Sequence, residues 1–385
     1  MTDYLMWARA MVDLCHARPT WANLFSSAAR EPRDLLQTHL ERAGLATLQH
    51  HMAQTTSWGQ PALIAHLRQH YTLHSAHQVL ITSGASMAYV VVCAALLQPG
   101  GHALVETPVY QPFTNVLRAF GARIRALPRP APDYQPDPDR VAALLQPDTR
   151  LIVLSNLHNP SGALMDDDTL RTIAAIAARH NAWLVVDEVY RDLAPDSPHH
   201  ARTAALLADN IIAISSFSKA YGLGRLRVGW IFSANDAITT RLREQHVLLD
   251  NSLSALDQTV ATIVAEHFNA YRQHGQATVA GNRPALEHFA TVMQAAGILT
   301  GDVPAHGCTY FPAVNGLDST DALVWELREQ DGVVVVPGRF FDAPGHIRIS
   351  FGDDPAHVPG GLSRLQAALR ARGATAEAHR SAESQ

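Results

Sequence analysis

The sequence has few cysteines and no long apolar run. Its three cysteines, Cys15, Cys93 and Cys308, are widely spaced, which excludes a disulfide framework and a CxxC metal site and is typical of a reducing cytosol. No apolar run approaches the ~20 residues of a transmembrane helix. The N-terminus lacks the basic and apolar regions of a signal peptide. We therefore predict a cytoplasmic protein with no membrane association.

Positive charge is also scarce. The chain has 30 lysine and arginine residues against 35 aspartate and glutamate residues, a formal net charge of −5, so we predict no nucleic-acid surface. Its 21 histidines show neither an HExxH motif nor a Cys/His ligand spacing, so we predict no metal site. Apolar residues make up 47% of the 385 residues, which is an ordinary globular balance.

Apolar runs alternate with stretches of helical spacing from about residue 79 to residue 232. This alternation predicts an α/β fold whose large domain has a mostly parallel sheet covered by helices on both faces. The strand candidates are Val79–Ile81, Ala103–Val105, Leu151–Leu154, Trp183–Val186, Ile211–Ile214 and Val228–Phe232.

A long helical region, about 235 to 295, follows the alternating part, and short strand and helix candidates come after it. These predict a smaller α+β domain. We place the large domain at residues 46–280 and the small domain at residues 1–45 and 281–372. The small, polar residues of 373–385 predict a disordered segment.

One lysine follows a predicted buried strand, among hydroxyl and arginine side chains. Lys219 comes after Ile211–Ile214, with Ser216 and Ser218 before it and Arg227 after it. Ligands bind outside the carboxyl ends of strands in open α/β sheets. A lysine amine there can form a Schiff base with an aldehyde cofactor, and the flanking groups suit a phosphate. Read alone, the same stretch is also compatible with a surface lysine on a turn.

Polar and aromatic residues follow other predicted strands. Gly84, Ala85 and Ser86 precede a predicted helix, whose free N–H groups would bind phosphate; Ser83 capping that helix is compatible with this. The Tyr110 ring either stacks on a flat cofactor or packs in the core. The other candidates are an amide, Asn159, and a carboxylate and phenol, Asp187 and Tyr190. One crevice at this sheet edge would hold them all.

Several motifs in order give this sequence a resemblance to the class I/II aminotransferases, which are fold-type I pyridoxal-phosphate enzymes. Ser155 to Gly162 resembles the family's S-N-P-x-N-P-[TS]-G loop, and Asp187 to Tyr190 matches D-E-x-Y. Ser216 to Gly229 matches S-x-[ST]-K-x-x-G-L-x-G-x-R-x-G at nearly every anchor. Ile347 to Phe351 is similar to the family's substrate-binding segment. The resemblance covers about residues 55 to 370.

The resemblance implies pyridoxal 5′-phosphate as cofactor and a role for each candidate. Lys219 would carry the Schiff base and move the proton, and Asp187 would pair with the ring nitrogen. Asn159 and Tyr190 would bond the ring oxygen, and Arg348 would bind the substrate α-carboxylate. The implied reaction moves an amino group between an α-amino acid and a 2-oxo acid, on a homodimer. Phosphate and ring contacts would come from Gly84, Ala85, Ser86, Tyr110, Ser216, Ser218 and Arg227.

The sequence departs from the family in four places. Arg225 stands where the family usually has glycine, and His158 replaces a commoner asparagine or proline. Gln54 stands where a tyrosine often reaches the neighbouring subunit's phosphate. Residues 1 to about 55, which usually line the substrate pocket, match poorly. The alternatives are therefore another enzyme of the same cofactor and scaffold, namely a lyase, an oxidase or hydroxylase, or a cyclase, and a non-catalytic regulator.

Two other motifs are incomplete. A dehydrogenase GxGxxG loop that begins at Gly222 would need glycine at the position of Arg227. A hydrolase GxSxG elbow that begins at Gly84 would need glycine at the position of Ala88.

Overall fold

The computed structural model describes residues 3–75, 77–197, 200–250 and 253–383. The α-helices are α1 (Tyr4–Ala17), α2 (Arg33–Gln54), α3 (Pro61–His70), α4 (Ala85–Leu96), α5 (Gln111–Ala119), α6 (Pro138–Leu144), α7 (Asp167–Arg179), α8 (Asp236–Leu249), α9 (Ala255–Glu266), α10 (Phe268–Ala295), α11 (Asp321–Asp331) and α12 (Val358–Glu383). Single 3₁₀ turns lie at Arg191–Leu193, Ala204–Leu206, Gly224–Leu226 and Gly338–Phe341.

The strands follow the same alternation. They are β1 (Ala22–Asn23), β2 (Gln78–Thr82), β3 (His102–Thr107), β4 (Arg123–Pro128), β5 (Thr149–Ser155), β6 (Trp183–Asp187), β7 (Ile211–Ser216), β8 (Gly229–Ser233), β9 (Leu299–Thr300), β10 (Thr309–Tyr310), β11 (Ala313–Val314), β12 (Val333–Val334), β13 (Val336–Pro337) and β14 (Ile347–Ser350).

A seven-stranded sheet in the order β2-β8-β7-β6-β5-β3-β4 forms the centre of the large domain. Its neighbouring strands pair in parallel, except that β8 runs antiparallel to both β2 and β7. The predicted mostly parallel sheet is therefore confirmed. Because β8 is reversed, its first residue lies at the edge where the parallel strands end.

Helices cover both faces of this sheet. Along β5, Leu151 and Val153 pack with α4 in one apolar cluster, whereas Ile152 and Leu154 pack with α7 in another. Successive strand side chains point to opposite faces, so an uninterrupted apolar strand must be covered on both sides. This explains why the sequence shows continuous apolar runs here.

Both ends of the chain contribute to the smaller elements. The strand β1 pairs in parallel with β12, and β14 is the middle strand of a three-stranded sheet between β10 and β13. Helix α10 runs unbroken from Phe268 to Ala295 across residue 280, where the sequence predicts a domain boundary. Helix α2 has non-helical backbone at Gly44, beside the other predicted boundary.

The structure differs from the sequence prediction at two segments. The edge strand β4 is absent from the predicted strands, because its side chains are mostly exposed and form no apolar run. Helix α12 continues to Glu383, through residues for which the sequence predicts disorder; residues 384–385 lie outside the described part. Among the described residues, no helix is long and apolar enough to cross a membrane.

Candidate active site

A cavity of about 1220 Å³ opens at the sheet edge where the parallel strands end. The fold brings most of the predicted site residues to its wall: Ala85, Ser86, Tyr110, Asn159, Asp187, Tyr190, Ser216, Ser218, Lys219 and Arg227. Two predicted residues lie beside the cavity and not on its wall. Gly84 is the N-cap of α4, and Arg348 is completely buried next to Asn159.

The reversal of β8 explains how Arg227 reaches the site. Gly229, the first residue of β8, pairs with Thr82 at the end of β2 and with Ser216 at the end of β7. A Cβ on Gly229 would lie 2.5 Å from the Gly84 carbonyl carbon, so only glycine allows this close approach. The chain just before β8 therefore passes the N-terminus of α4.

The N-terminus of α4 has the features of a phosphate site. No side chain caps it, so its first N–H groups are available to an anion. Arg227 Nη2 donates to the Ser83 carbonyl oxygen at 3.2 Å, which holds the guanidinium close by. Ser83 itself does not cap the helix; its N–H and Oγ–H donate to the Asp250 carboxylate at 2.8 and 2.7 Å.

Asp187 lies at the end of β6, partly open to the cavity. Its carboxylate accepts a 3.0 Å hydrogen bond from the Val189 N–H. Removal from bulk water raises the pKa of Asp187 to about 7, and the Glu106 carboxylate adds to this, whereas the Val189 N–H and Lys219 oppose it. Asp187 thus lacks the close cationic partner that a buried carboxylate needs, and a protonated ring nitrogen would supply one.

Lys219 lies in the loop after β7 and is held through its backbone. Its carbonyl oxygen accepts a 2.9 Å hydrogen bond from the Ala29 N–H, which ties this loop to the N-terminal segment. Burial lowers the pKa of the Lys219 amine, and the Arg348 charge lowers it further, against the opposing effect of Tyr4. A lowered pKa increases the neutral, nucleophilic fraction of the amine.

Arg348 lies on β14 and has no carboxylate partner in the described part of the chain. Its Nη1 donates to Asn159 Oδ1 at 3.0 Å, and its Nη2 donates to the Phe25 carbonyl at 2.9 Å and to the Tyr4 hydroxyl at 3.2 Å. Its Nε is buried without a partner. A buried arginine that has no carboxylate partner fits an anionic ligand.

The two predicted aromatic residues are placed differently. The Tyr110 ring lines the cavity and packs edge-on against Tyr4 and Phe113, with centroids 5.2 and 5.5 Å apart. The Tyr190 hydroxyl donates to Ser27 Oγ at 2.7 Å, and burial raises its pKa. Tyr190 therefore lies at the cavity wall but already has a hydrogen-bond acceptor.

The sequence reasoning missed residues that support the site from a distance. Tyr4 and Ser27 lie in the N-terminal segment, where no motif marks them. Glu106, at the end of β3, pairs with Arg129 at 2.6 Å in a completely buried ion pair and accepts hydrogen bonds from Ser155. Glu106 could have been found from the sequence, because it lies at the end of a predicted strand, four positions before the candidate Tyr110.

The residues present fit pyridoxal phosphate. The uncapped α4 N-terminus with Ser216, Ser218 and Arg227 suits the phosphate, Asp187 suits a protonated ring nitrogen, and Lys219 suits an aldehyde. Each lies at the same sheet edge. Among the described residues, no group of three His, Cys, Asp or Glu side chains is placed to hold a metal ion.

Comparison with known proteins agrees with this site. A family model described as "Aminotransferase class I and II" matches residues 22–365. A capreomycidine synthase from Streptomyces vinaceus is 34% identical over 296 residues, 76% of this chain and 75% of that protein. An arginine–pyruvate transaminase from Pseudomonas aeruginosa, AruH, is 35% identical over 43% of each chain. The solved structure of a PLP-dependent cyclase, OrfR, superposes with a TM-score of 0.81 at 25% identity, covering 94% of this chain and 96% of that one.

Proposed function

Because this chain belongs to the class I and II aminotransferase family, whose cofactor is pyridoxal phosphate, we propose that it transfers an amino group between an α-amino acid and a 2-oxo acid. The observation that carries this proposal is Arg348, which is fully buried beside Asn159 and has no carboxylate partner among the described residues. An α-carboxylate would be its charge partner.

Each side chain at the sheet edge then has a role. When bound, the cofactor supplies an aldehyde that takes up the amino group and a ring that accepts electrons. Lys219 would hold the cofactor and move the substrate Cα proton on its Nζ, and Asp187 would hold a proton on the ring nitrogen. Asn159 and Tyr190 would orient the ring oxygen, and Tyr110 would pack on the ring.

Phosphate binding would fall to groups that converge on α4. The N–H groups of Ala85 and Ser86 follow the N-cap Gly84, and Arg227 lies against the preceding Ser83 carbonyl. Ser216 and Ser218 approach from the end of β7, where Ser216 Oγ accepts a 3.2 Å hydrogen bond from the Ser218 N–H. Hydroxyl, amide and guanidinium donors together suit a dianion.

A second candidate is a cyclase that acts on an amino-acid side chain. The capreomycidine synthase and the cyclase OrfR favour it, because each covers most of this chain. The same Lys219, Asp187 and Arg348 would serve either reaction, since both require loss of the Cα proton from a bound α-amino acid. The name of the arginine–pyruvate transaminase supports arginine as the first amino acid to test.

We further propose that the protein is a cytoplasmic homodimer. The free cysteines Cys15, Cys93 and Cys308 suit a reducing compartment. Exposed apolar side chains at the end of α8, including Leu248, which is 76% exposed, suit a partner surface.

The test is a panel of α-amino acids, with arginine included, incubated with and without a 2-oxo acid acceptor. An aminotransferase should release a new 2-oxo acid only when the acceptor is present for repeated turnovers. A cyclase should consume, without an acceptor, an amino acid whose side chain carries a leaving group such as a hydroxyl, expel that group as the ring closes, and give a cyclised product that keeps the nitrogen. Ammonia release without either product would contradict both candidates.

A further inference from the structure

The first turn of α1 covers Arg348, the residue proposed to bind the substrate α-carboxylate (the carboxylate anchor). Tyr4 lies 344 positions from Arg348 in the chain, yet its hydroxyl oxygen accepts a 3.2 Å hydrogen bond from Arg348 Nη2. The Tyr4 ring packs edge-on against Tyr110 and Phe340, with centroids 5.2 and 5.4 Å apart. Tyr4 is only 6% exposed and Arg348 is 0% exposed, and neither lies on the cavity wall. A ligand in the cavity therefore reaches Arg348 only if a group that contacts Arg348 moves, and Tyr4 is one of these groups.

The hydrogen bonds of the Arg348 guanidinium show which contact must yield. Nη2 carries two hydrogens, and the Phe25 carbonyl and the Tyr4 hydroxyl accept one each. A carboxylate that binds to both Nη atoms needs one of these two hydrogens. The Phe25 carbonyl is part of the backbone next to β1, whereas the Tyr4 oxygen belongs to a side chain at a helix end. The Tyr4 oxygen is thus the replaceable acceptor.

Polar contacts of α1 lie at its first turn. The Tyr4 N–H donates to Gln111 Oε1 at 2.7 Å, and Asn115 Nδ2 donates to Asp3 Oδ2 at 2.6 Å. The outer face of the helix is open to solvent, since Leu5 and Met6 are 54% and 62% exposed, whereas Met11 on the inner face is only 4% exposed. The helix therefore stays packed along its length, and the displacement concerns its first turn.

We propose that Tyr4 is a specificity-determining residue, which occupies Arg348 in the free enzyme and is displaced only by a substrate that carries an α-carboxylate. This inference rests on the proposed function, because it takes Arg348 as the carboxylate anchor. The Tyr4 oxygen is a single acceptor, and the pKa of its hydroxyl is lowered, against the opposing effect of burial, by Arg348 and Lys219, whereas a carboxylate can accept hydrogen bonds from both Nη atoms of the guanidinium. A simple amine has no acceptor that could replace the Tyr4 hydroxyl, so an amine leaves the hydrogen bond between Tyr4 and Arg348 in place.

The test compares two probes on the cofactor-loaded enzyme. One is 2-methylalanine, an α-amino acid that has no Cα hydrogen; the other is isopropylamine, the same amine without the carboxylate. In the wild-type enzyme, 2-methylalanine should accelerate amide hydrogen exchange in the first turn of α1, and isopropylamine should leave it unchanged. Slower exchange with 2-methylalanine, or the same exchange with both probes, would overturn the displacement.

Variants test the hydroxyl itself. Tyr4→Phe keeps the ring but removes the competing oxygen, so it should bind 2-methylalanine about tenfold more tightly and isopropylamine with unchanged affinity. Asn115→Ala, which loosens the same turn, should shift affinity in the same direction. The matched control is Tyr271→Phe, whose hydroxyl lies 3.1 Å from His39 Nδ1 and which is not on the cavity wall; it should change neither affinity. Weaker or unchanged binding of 2-methylalanine by Tyr4→Phe overturns the proposal.

Arg348→Lys separates this inference from the proposed function. If the wild-type enzyme prefers 2-methylalanine to isopropylamine and Arg348→Lys abolishes that preference, Arg348 is the anchor, and the Tyr4 result stands or falls by itself. If the wild-type enzyme binds both probes equally and Arg348→Lys changes neither affinity, the carboxylate role of Arg348 fails, and with it the proposed α-amino acid substrate.

Discussion

Replacing Asp187 with asparagine should have opposite effects on the stability of the cofactor-free protein and on catalysis. In the folded protein the pKa of Asp187 is raised from 3.8 to about 7, mainly because the carboxylate is removed from water. The folded protein therefore binds more protons than the unfolded chain between these two pH values, and its stability falls as the pH rises through them. A shift of this size corresponds to about 4 kcal/mol for the ionised carboxylate.

Asparagine has a similar shape and does not ionise, so Asp187→Asn should avoid this cost. Below about pH 4 the variant and the wild-type protein should be equally stable, whereas above pH 7 the variant should gain up to about 4 kcal/mol. Glu106 and Glu188 also have raised pKa values, but they are present in both proteins and largely cancel in the difference. With cofactor bound, the variant cannot hold the ring-nitrogen proton, and turnover should fall at least about 10²-fold.

Equilibrium urea unfolding of the cofactor-free proteins at pH 5 and pH 8 measures the first effect, and steady-state turnover of the loaded enzymes measures the second. A variant that is less stable than the wild-type protein at pH 8 would refute the electrostatic reasoning. Unchanged turnover would show that Asp187 does not face the ring nitrogen.

Three further predictions concern the attachment of the cofactor to Lys219, the oligomeric state of the protein and the contribution of Asp192 to stability. Borohydride reduction of the yellow holoenzyme should fix the cofactor on Lys219, as peptide mass spectrometry would show; a colourless protein that takes up no added cofactor would contradict this. Sedimentation at micromolar concentration should show a homodimer, and a monomer would count against the proposed assembly. Asp192→Asn should destabilise the fold by about 3–5 kcal/mol, because Asp192 is buried and accepts 2.7 Å hydrogen bonds from Tyr71 and Tyr221. Since those bonds and His70 hold the pKa of Asp192 low, its contribution should be present above about pH 4 and fade as the pH falls; a pH-independent difference in urea unfolding would argue otherwise.

The strands and their C-terminal ends could be predicted from the sequence because both are local features. Apolar runs such as Ile211–Ile214 mark buried strands, and the polar residues that follow them, such as Asp187 and Lys219, must lie at one sheet edge once the strands are parallel. The exposed edge strand β4 could not be found in this way, since Arg123 and Arg125 interrupt its apolar residues and most of its side chains are exposed.

The cover over Arg348 could not be predicted because it depends on contacts across the whole chain. The partners of Arg348 are Tyr4, Phe25 and Asn159, separated from it by 344, 323 and 189 positions. No periodicity or spacing within the N-terminal segment marks Tyr4 as a partner of β14. The antiparallel pairing of β8, which delivers Arg227, likewise follows from the sheet and not from the local sequence.

A half-reaction tests the central claim most directly. The holoenzyme is mixed with one equivalent of an accepted α-amino acid and no acceptor, and the products are counted. Transamination predicts one equivalent of the matching 2-oxo acid, with the amino group kept by the enzyme until an added 2-oxo acid removes it. Release of ammonia, carbon dioxide or peroxide, or a cyclised product with no 2-oxo acid, would contradict transamination and leave the cofactor site as assigned.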